Sequence, residues 1–346
     1  MIRSALVALT FLTLPVSALA ECIGRDLFEA LAPETRAAID EAVAQVPHQR
    51  GLLWRATRGD AEMVLVGTYH FADRRHQAIL SRIAGPLADA AALYVEATPE
   101  DEERLQQALQ RDPSLMFDPD GPTLPERLLP DEWARLSLAI EERGVPAVLA
   151  SRMRPWYVAL LLGVSPCMIE TMADPDSQGL DRMLGDLAQT MRVPIRSLEP
   201  WDTVFSLFRD LGPDQEEDMI RAALPAAEYA DDYAATLTAA YFAGEVWRIW
   251  EFGRFDAYEN SGLPRDTVDE QIGLAQSLLM DRRNRDWIAP LVAGAESAAL
   301  QDKRIVAGFG ALHLPGEQGV LRLLENQGWQ IERMEDGTVP SAAPPD

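Results

Sequence analysis

Met63-Val64-Leu65-Val66-Gly67-Thr68-Tyr69-His70 and, far along the chain, Arg304-Ile305-Val306-Ala307-Gly308-Phe309-Gly310-Ala311-Leu312-His313 share one grammar. Each is a run of strand-forming residues followed by Gly, two residues and His. A run apolar at consecutive positions, rather than alternating, is the pattern of a strand covered on both faces, as in a parallel sheet. A third run, Ala92-Leu93-Tyr94-Val95, ends in Glu96. Between the first and third runs, Arg75 to Ala92 carries Ile79, Ile83 and Leu87 at a spacing of four, which predicts an amphipathic helix. Strand, helix and strand in that order make a parallel βαβ unit. Upstream, Arg58-Gly59-Asp60 separates two apolar runs and signals a hairpin.

Working outward, Arg25 to Val46 has helical spacing. From Glu100 to about Ser165 the pattern is helical and broken by prolines, with Val145–Leu149 reading as a short strand. Val193 to Glu199 reads as another strand ending in an acid. The last unit is the strand at 304–308, the turn carrying His313, a helix from Gly319 to Asn326 and a strand from Trp329 to Met334. The expected fold is α/β: a central mixed, largely parallel sheet flanked by helices, with a large helical insertion over about residues 100–190 and 203–295. One domain spans 21–336, and the Pro-rich residues 337–346 read as a disordered tail.

Arg3, the apolar stretch Ala5 to Val16 and Ala18-Leu19-Ala20 read as a secretory signal peptide over residues 1–20, cleaved after Ala20, which implies a secreted or periplasmic protein. No later stretch is long and apolar enough to span a bilayer. Cleavage removes one of the 31 basic residues and none of the 55 acidic ones, so the mature net charge is −25. A field of that sign repels phosphate, which argues against nucleic acid as a partner. Cys22 and Cys167 both survive cleavage. In an exported protein an even pair suggests a disulfide, the alternative being two separate buried thiols.

Only four histidines occur, at 48, 70, 76 and 313, and two of them close the repeated motif. In open sheets ligands bind beyond the carboxyl ends of the strands, where His70 and His313 both fall. Gly67 and Gly310 are read as permitting positive φ and close backbone approach. Glu96 ends a run buried on both faces, so its carboxylate needs a cation. A metal ion would serve, and so would an arginine such as Arg283. Two imidazoles and one carboxylate are a common ligand set for a divalent metal with an open coordination position. Glu199 has the same strand-end placement. His76 is expected on a solvated helix face. Gly308-Phe309-Gly310-Ala311-Leu312-His313 nearly matches a dinucleotide fingerprint, but His stands where close helix–strand packing needs a small residue. His-Glu-x-x-His, Gly-x-Ser-x-Gly, Walker and Cys-x-x-Cys motifs are absent from the sequence.

These motifs, with Arg154-Pro155-Trp156, Gly179-Leu180-Asp181, Leu198-Glu199, Arg283-Asn284 and Gly310-Ala311-Leu312-His313-Leu314-Pro315-Gly316-Glu317-Gln318-Gly319, resemble the TraB/PrgY/GumN family in order and spacing. That family is similar to the Tiki metal-dependent peptidases and to the erythromycin esterase/ChaN-like fold. The resemblance implies that His70, Glu96 and His313 gather around a divalent metal (manganese, cobalt or zinc), with Arg283 and Asn284 beside the same cleft. The expected activity is an exported metal-dependent hydrolase acting on a peptide or protein. Glu96 or Glu199 would shuttle the proton, and Arg283 would stabilise the oxyanion. The alternative is a non-catalytic periplasmic binding or regulatory protein that uses the cleft for a peptide, haem or metal.

Overall fold

The two quoted runs become neighbouring strands. In the computed structural model, which describes residues 24–172, 177–209 and 211–334, six strands form one sheet. They are β1 (Leu53–Arg58), β2 (Ala61–Thr68), β3 (Ala90–Val95), β4 (Ile195–Ser197), β5 (Arg304–Gly310) and β6 (Gln330–Arg333), in the order β4-β3-β5-β2-β1-β6. The junctions β4–β3, β3–β5 and β5–β2 are parallel, while β2–β1 and β1–β6 are antiparallel. The sheet is therefore mixed and the fold is α/β.

Physical reasons for the strands lie on both faces. Met63 and Leu65 pack with Ala307, Phe309 and Tyr94 against Trp287 and Leu291 of the helix Arg282–Ala299. Val64 and Val66 pack with Val306, Leu93 and Val95 against Ile79 and Ile83 of the helix His76–Ala88 and Leu184 of the helix Leu180–Met191. Val64, Val66 and Val306 are all 0% exposed. Each such burial contributes about 1.5–3 kcal/mol, more than the roughly 1 kcal/mol that spans intrinsic strand preference. Burial on two sides, not local propensity, makes these segments strands.

The hairpin is tight. Arg58 pairs with Ala61, and Gly59 supplies a φ of +59° in the turn between them. The expected βαβ unit is present with a difference: β2 and β3 run parallel but are not neighbours, because β5 lies between them. The terminal strand pairs antiparallel with β1 at the sheet edge. The predicted strand at 145–149 is instead the helix Ala147–Ala150. Pro146 lacks the N–H a ladder needs, Val148 is 80% exposed, and Ala150 packs into a separate helical cluster with Leu136, Ile140, Val158 and Leu224.

Among the described residues no single helix is long and apolar enough to cross a membrane. Residues 1–20, Cys22 and the tail 337–346 lie outside the described residues, and with them the expected signal peptide and the Cys22 end of the expected disulfide.

Candidate active site

Register decides the site. Thr68 pairs with Gly310 and Val95 with Gly308, so the carboxyl ends of β3, β5 and β2 stand side by side. Each end projects one of the expected residues: Glu96 after β3, His313 in the turn after β5, His70 after β2. They converge. An ideal Cβ on Gly310 would lie 3.3 Å from Glu96 Oε1, 3.5 Å from His313 Cδ2 and 3.9 Å from His70 Nε2. Any side chain at 310 would fill the space between the three, which is why glycine is needed there.

The glycines act through closeness. Neither Gly67 nor Gly310 has positive φ, contrary to expectation. A Cβ on Gly67 would meet Leu314 Cδ1 at 2.7 Å and Ala311 Cα at 3.0 Å, so Gly67 lets the turn carrying His313 lie on β2. Gly179 does the same for the other histidine, since its Cβ would fall 2.1 Å from the His70 carbonyl oxygen. Leu180 N–H donates to the Tyr69 carbonyl at 3.0 Å, fastening the His70 loop to the start of the helix Leu180–Met191.

Each imidazole is oriented by a partner at Nδ1. Asn284 Nδ2 donates to the Gln318 carbonyl at 2.8 Å, which leaves Asn284 Oδ1 as the acceptor facing His313 Nδ1 at 2.6 Å. His313 therefore carries its proton on Nδ1, and its Nε2 lone pair faces Arg283 Nη1 at 3.3 Å and Glu96 Oε1 at 4.0 Å. The ring is 5% exposed, and burial lowers its pKa to about 3, so it is neutral at physiological pH. His70 Nδ1 lies 2.9 Å from Asp181 Oδ2, and the other Asp181 oxygen accepts from Thr68 Oγ1. The Asp181 carboxylate raises the His70 pKa to about 9. The His70 side chain is 65% exposed, so water screens part of that attraction.

Glu96 and Glu199 are held by one guanidinium. Arg283 Nη2 donates to Glu96 Oε2, while Nε and Nη2 donate to Glu199 at 2.8 Å each. Glu96 Oε1 also accepts from Gly310 N–H at 2.7 Å. Burial works to raise the Glu96 pKa, but its electrostatic partners and the Gly310 N–H outweigh it and hold it at about 2. Because His313 is neutral, the standing buried cation is Arg283. Burial pushes Glu199 above its ordinary range despite Arg283. Trp287 forms the floor: its Nε1 donates to Glu199 at 3.2 Å, its ring lies 4.4 Å from the His313 ring, and Arg283 Cζ sits 4.9 Å above it.

Of the two options open for Glu96, the arginine pair is realised, and it does not exclude a metal. Both rings border one space, His70 with Nε2 and His313 with Cδ2, and the Nδ1 of each is anchored, as metal-ligating imidazoles generally require. Only His313 is neutral as it stands; a cation that displaced the proton Asp181 favours on His70 would leave Glu96, Glu199 and Asp181 against Arg283, a charge of −2 matched to a divalent ion. The donor set thus suits a divalent ion in type and charge. Among the described residues, however, no three His, Cys, Asp or Glu stand together at ligating distances, and Arg283 spans the Glu96–His313 side.

A model of the TraB/PrgY/gumN family matches residues 52–333. The chain belongs to that family. No curated protein and no solved structure matches it. In this TraB/PrgY/gumN protein the matched segment contains every residue of the cleft.

Sequence reasoning missed the role of Asp181. Its signals are the Gly179-Leu180-Asp181 motif of the family resemblance, which attaches no role to it, and an acid at a helix start. His76 is corrected outright: it is 0% exposed, packed against Tyr69, Tyr241 and Phe242, with Nε2 2.9 Å from the Phe71 carbonyl. His48 pairs with Glu325 and stands edge-on to Trp54. Arg154 donates to the Ser114 carbonyl within the helical layer.

Proposed function

We propose that this protein is an exported metal-dependent hydrolase acting on peptide bonds, with His70, Glu96 and His313 as the ligands of a divalent ion. One observation carries the reading: two anchored imidazoles flank the space that Gly310 leaves beside Glu96 Oε1, His70 with Nε2 and His313 with its Cδ2 edge, and His313 Nε2 lies 4.0 Å from that oxygen. The export signal at residues 1–20, the Cys22–Cys167 disulfide and the peptide substrate rest on the sequence and on the family resemblance.

A divalent ion at this position supplies a Lewis acid that polarises a carbonyl and brings the pKa of bound water toward neutrality. Asp181 and Asn284 hold the two rings in orientation. Arg283, on the Trp287 floor, faces the oxygen on which negative charge develops. Glu199 sets the guanidinium's position. Because burial pushes its carboxyl upward, Glu199 is better matched than Glu96 to a proton shuttle near neutral pH.

The guanidinium between Glu96 and His313 favours one second reading, a non-catalytic binding or regulatory protein that uses the cleft for a peptide, haem or metal. Metal analysis and peptide turnover of wild type, His70→Ala and His313→Ala separate the two. The hydrolase reading expects bound metal and turnover in wild type and loss of both in each variant. Ligand retention without turnover supports the second reading. Equal metal content and equal turnover in all three proteins end the proposal.

A further inference from the structure

A second cavity, about 690 Å³, opens on the same side of the sheet as the Arg282–Ala299 helix but toward the opposite end of that helix. Arg283 lies in the first turn and Gly294, which lines the cavity, eleven residues later, or about 16 Å along the axis at 1.5 Å per residue. The cavity floor is apolar: Ala92, Ile305 and Ala298 line it and are all but fully buried.

Its polar lining has one sign. Arg192, Arg196 and Lys303 line the cavity, and no Asp or Glu does. Lys303 is the sole lysine of a chain with a net charge of −24. Elsewhere in this protein arginines such as Arg127, Arg221 and Arg283 are tied to two or three carboxylates. The side chains of Arg192, Arg196 and Lys303 make no ion pair or hydrogen bond among the described residues. Three separate elements bring them together: the residue after the helix Leu180–Met191, strand β4, and the residue before β5.

Tyr94 adds an independent mark. It is 5% exposed, yet its hydroxyl has no hydrogen-bond partner among the described residues. It lines the cavity, lying 2.4 Å from where a Gly294 Cβ would stand. Tyr94 pairs in register with Arg196, so the two side chains project on the same face of the sheet. The ring is buried while the hydroxyl opens to the cavity rather than being sealed in the core, so it is available to a bound head group. Glycine at 294 is what leaves it room on the cavity side.

We propose that this cavity is a binding site for a small organic anion, a carboxylate or phosphate head on a short apolar body. The head is recognised by Arg192, Arg196, Lys303 and the Tyr94 hydroxyl, and the body lies on the alanine-rich floor. The volume falls in the range of small-molecule sites, which combine an apolar lining with a few convergent polar groups. Cations that make no internal ion pair, in a lining without a carboxylate, leave the head free of competition there. The site is separate from the cleft and does not depend on the hydrolase reading.

Benzoate, phenyl phosphate and uncharged benzyl alcohol are titrated into the full chain by calorimetry at low and high salt. Saturable binding of one or both anions is expected, weakening with salt, with benzyl alcohol at least about tenfold weaker, as loss of one charge-assisted contact implies. Which anion binds more tightly assigns the head group. The triple variant Arg192→Ala/Arg196→Ala/Lys303→Ala, which breaks no internal bond, should fold normally and bind about tenfold or more weakly. Ser297→Trp, at an exposed helix position lining the cavity, should abolish binding, and Tyr94→Phe should weaken it severalfold. No binding of either anion below about 10 mM, equal binding of benzyl alcohol, or unchanged affinity in the triple variant would each overturn the proposal.

Discussion

Replacing Arg283 with Met isolates the electrostatic centre of the cleft, because Met keeps most of the side-chain volume and removes the charge. In the native protein the guanidinium bonds Glu96 and Glu199, whose side chains are 18% and 14% exposed. Without it two carboxylates share a buried site, with only the Gly310 and Trp287 N–H groups among their present partners. Breaking a buried pair from one side costs about 3–5 kcal/mol, and here one cation serves two acids, so the upper part of that range is expected. For a chain of 346 residues that is a fall in Tm of roughly 4–8 °C. The sign with pH is also determined. Wild-type Glu96 is held at about 2, so its contribution is present above the ordinary carboxyl pKa and is lost as pH falls toward 2. In the variant the same carboxyls, buried and unpaired, titrate above their ordinary value and regain stability by taking up protons. The deficit is therefore largest near pH 7 and narrows as pH falls toward about 4. Urea unfolding followed by circular dichroism at several pH values measures it. A loss under about 1 kcal/mol at pH 7, or a deficit that grows on acidification, would refute the view that Arg283 is the cation on which both acids depend.

Asn284→Leu removes the acceptor at His313 Nδ1 and should cost about 1–3 kcal/mol; under the proposed function it should also weaken metal binding roughly 10–100-fold. Urea unfolding and metal titration test this, and no change in either would contradict the tautomer assigned to His313. Burial lowers the His76 pKa, so stability should be level above about pH 6.5 and fall below it, by up to about 1.4 kcal/mol per pH unit, as the unfolded chain alone takes the proton. His76→Gln should remove that part of the slope; identical pH profiles for the two proteins would count against it. Gly67→Ala meets Ala311 backbone at 3.0 Å and should lose about 1–3 kcal/mol. Gly310→Ala meets only side-chain atoms, at 3.3 Å and beyond, and should keep the stability to within about 1 kcal/mol while losing the ligand or activity of the cleft. Thermal unfolding of the pair, with the activity and metal assays above, checks both, and equal destabilisation would refute the distinction.

Much of the cleft could be read from residues alone. His70, Glu96 and His313 were identifiable because a short apolar run ending in a polar residue marks a strand end, and strand ends of a parallel sheet share one rim. Asp181 and Trp287 gave no such signal. Asp181 begins a helix whose sequence asks only for an acid near the N-terminus, and Trp287 is one core aromatic among eight tryptophans. His76 was misplaced for a related reason: helical spacing defines one apolar stripe, and it cannot show that Tyr241 and Phe242, far along the chain, cover the position beside that stripe.

By itself the sequence determined that β2, β3 and β5 are buried on both faces and that their polar ends carry imidazole and carboxylate, since consecutive apolar residues have no stable alternative but a covered strand. Only the tertiary structure decided that β5 enters between β2 and β3, that Arg283 lies between Glu96 and His313, and that Asp181 reaches His70. Those outcomes depend on which distant segments become neighbours. Hydrophobic burial is non-directional and does not specify partners, so they are settled when the helices close over the sheet.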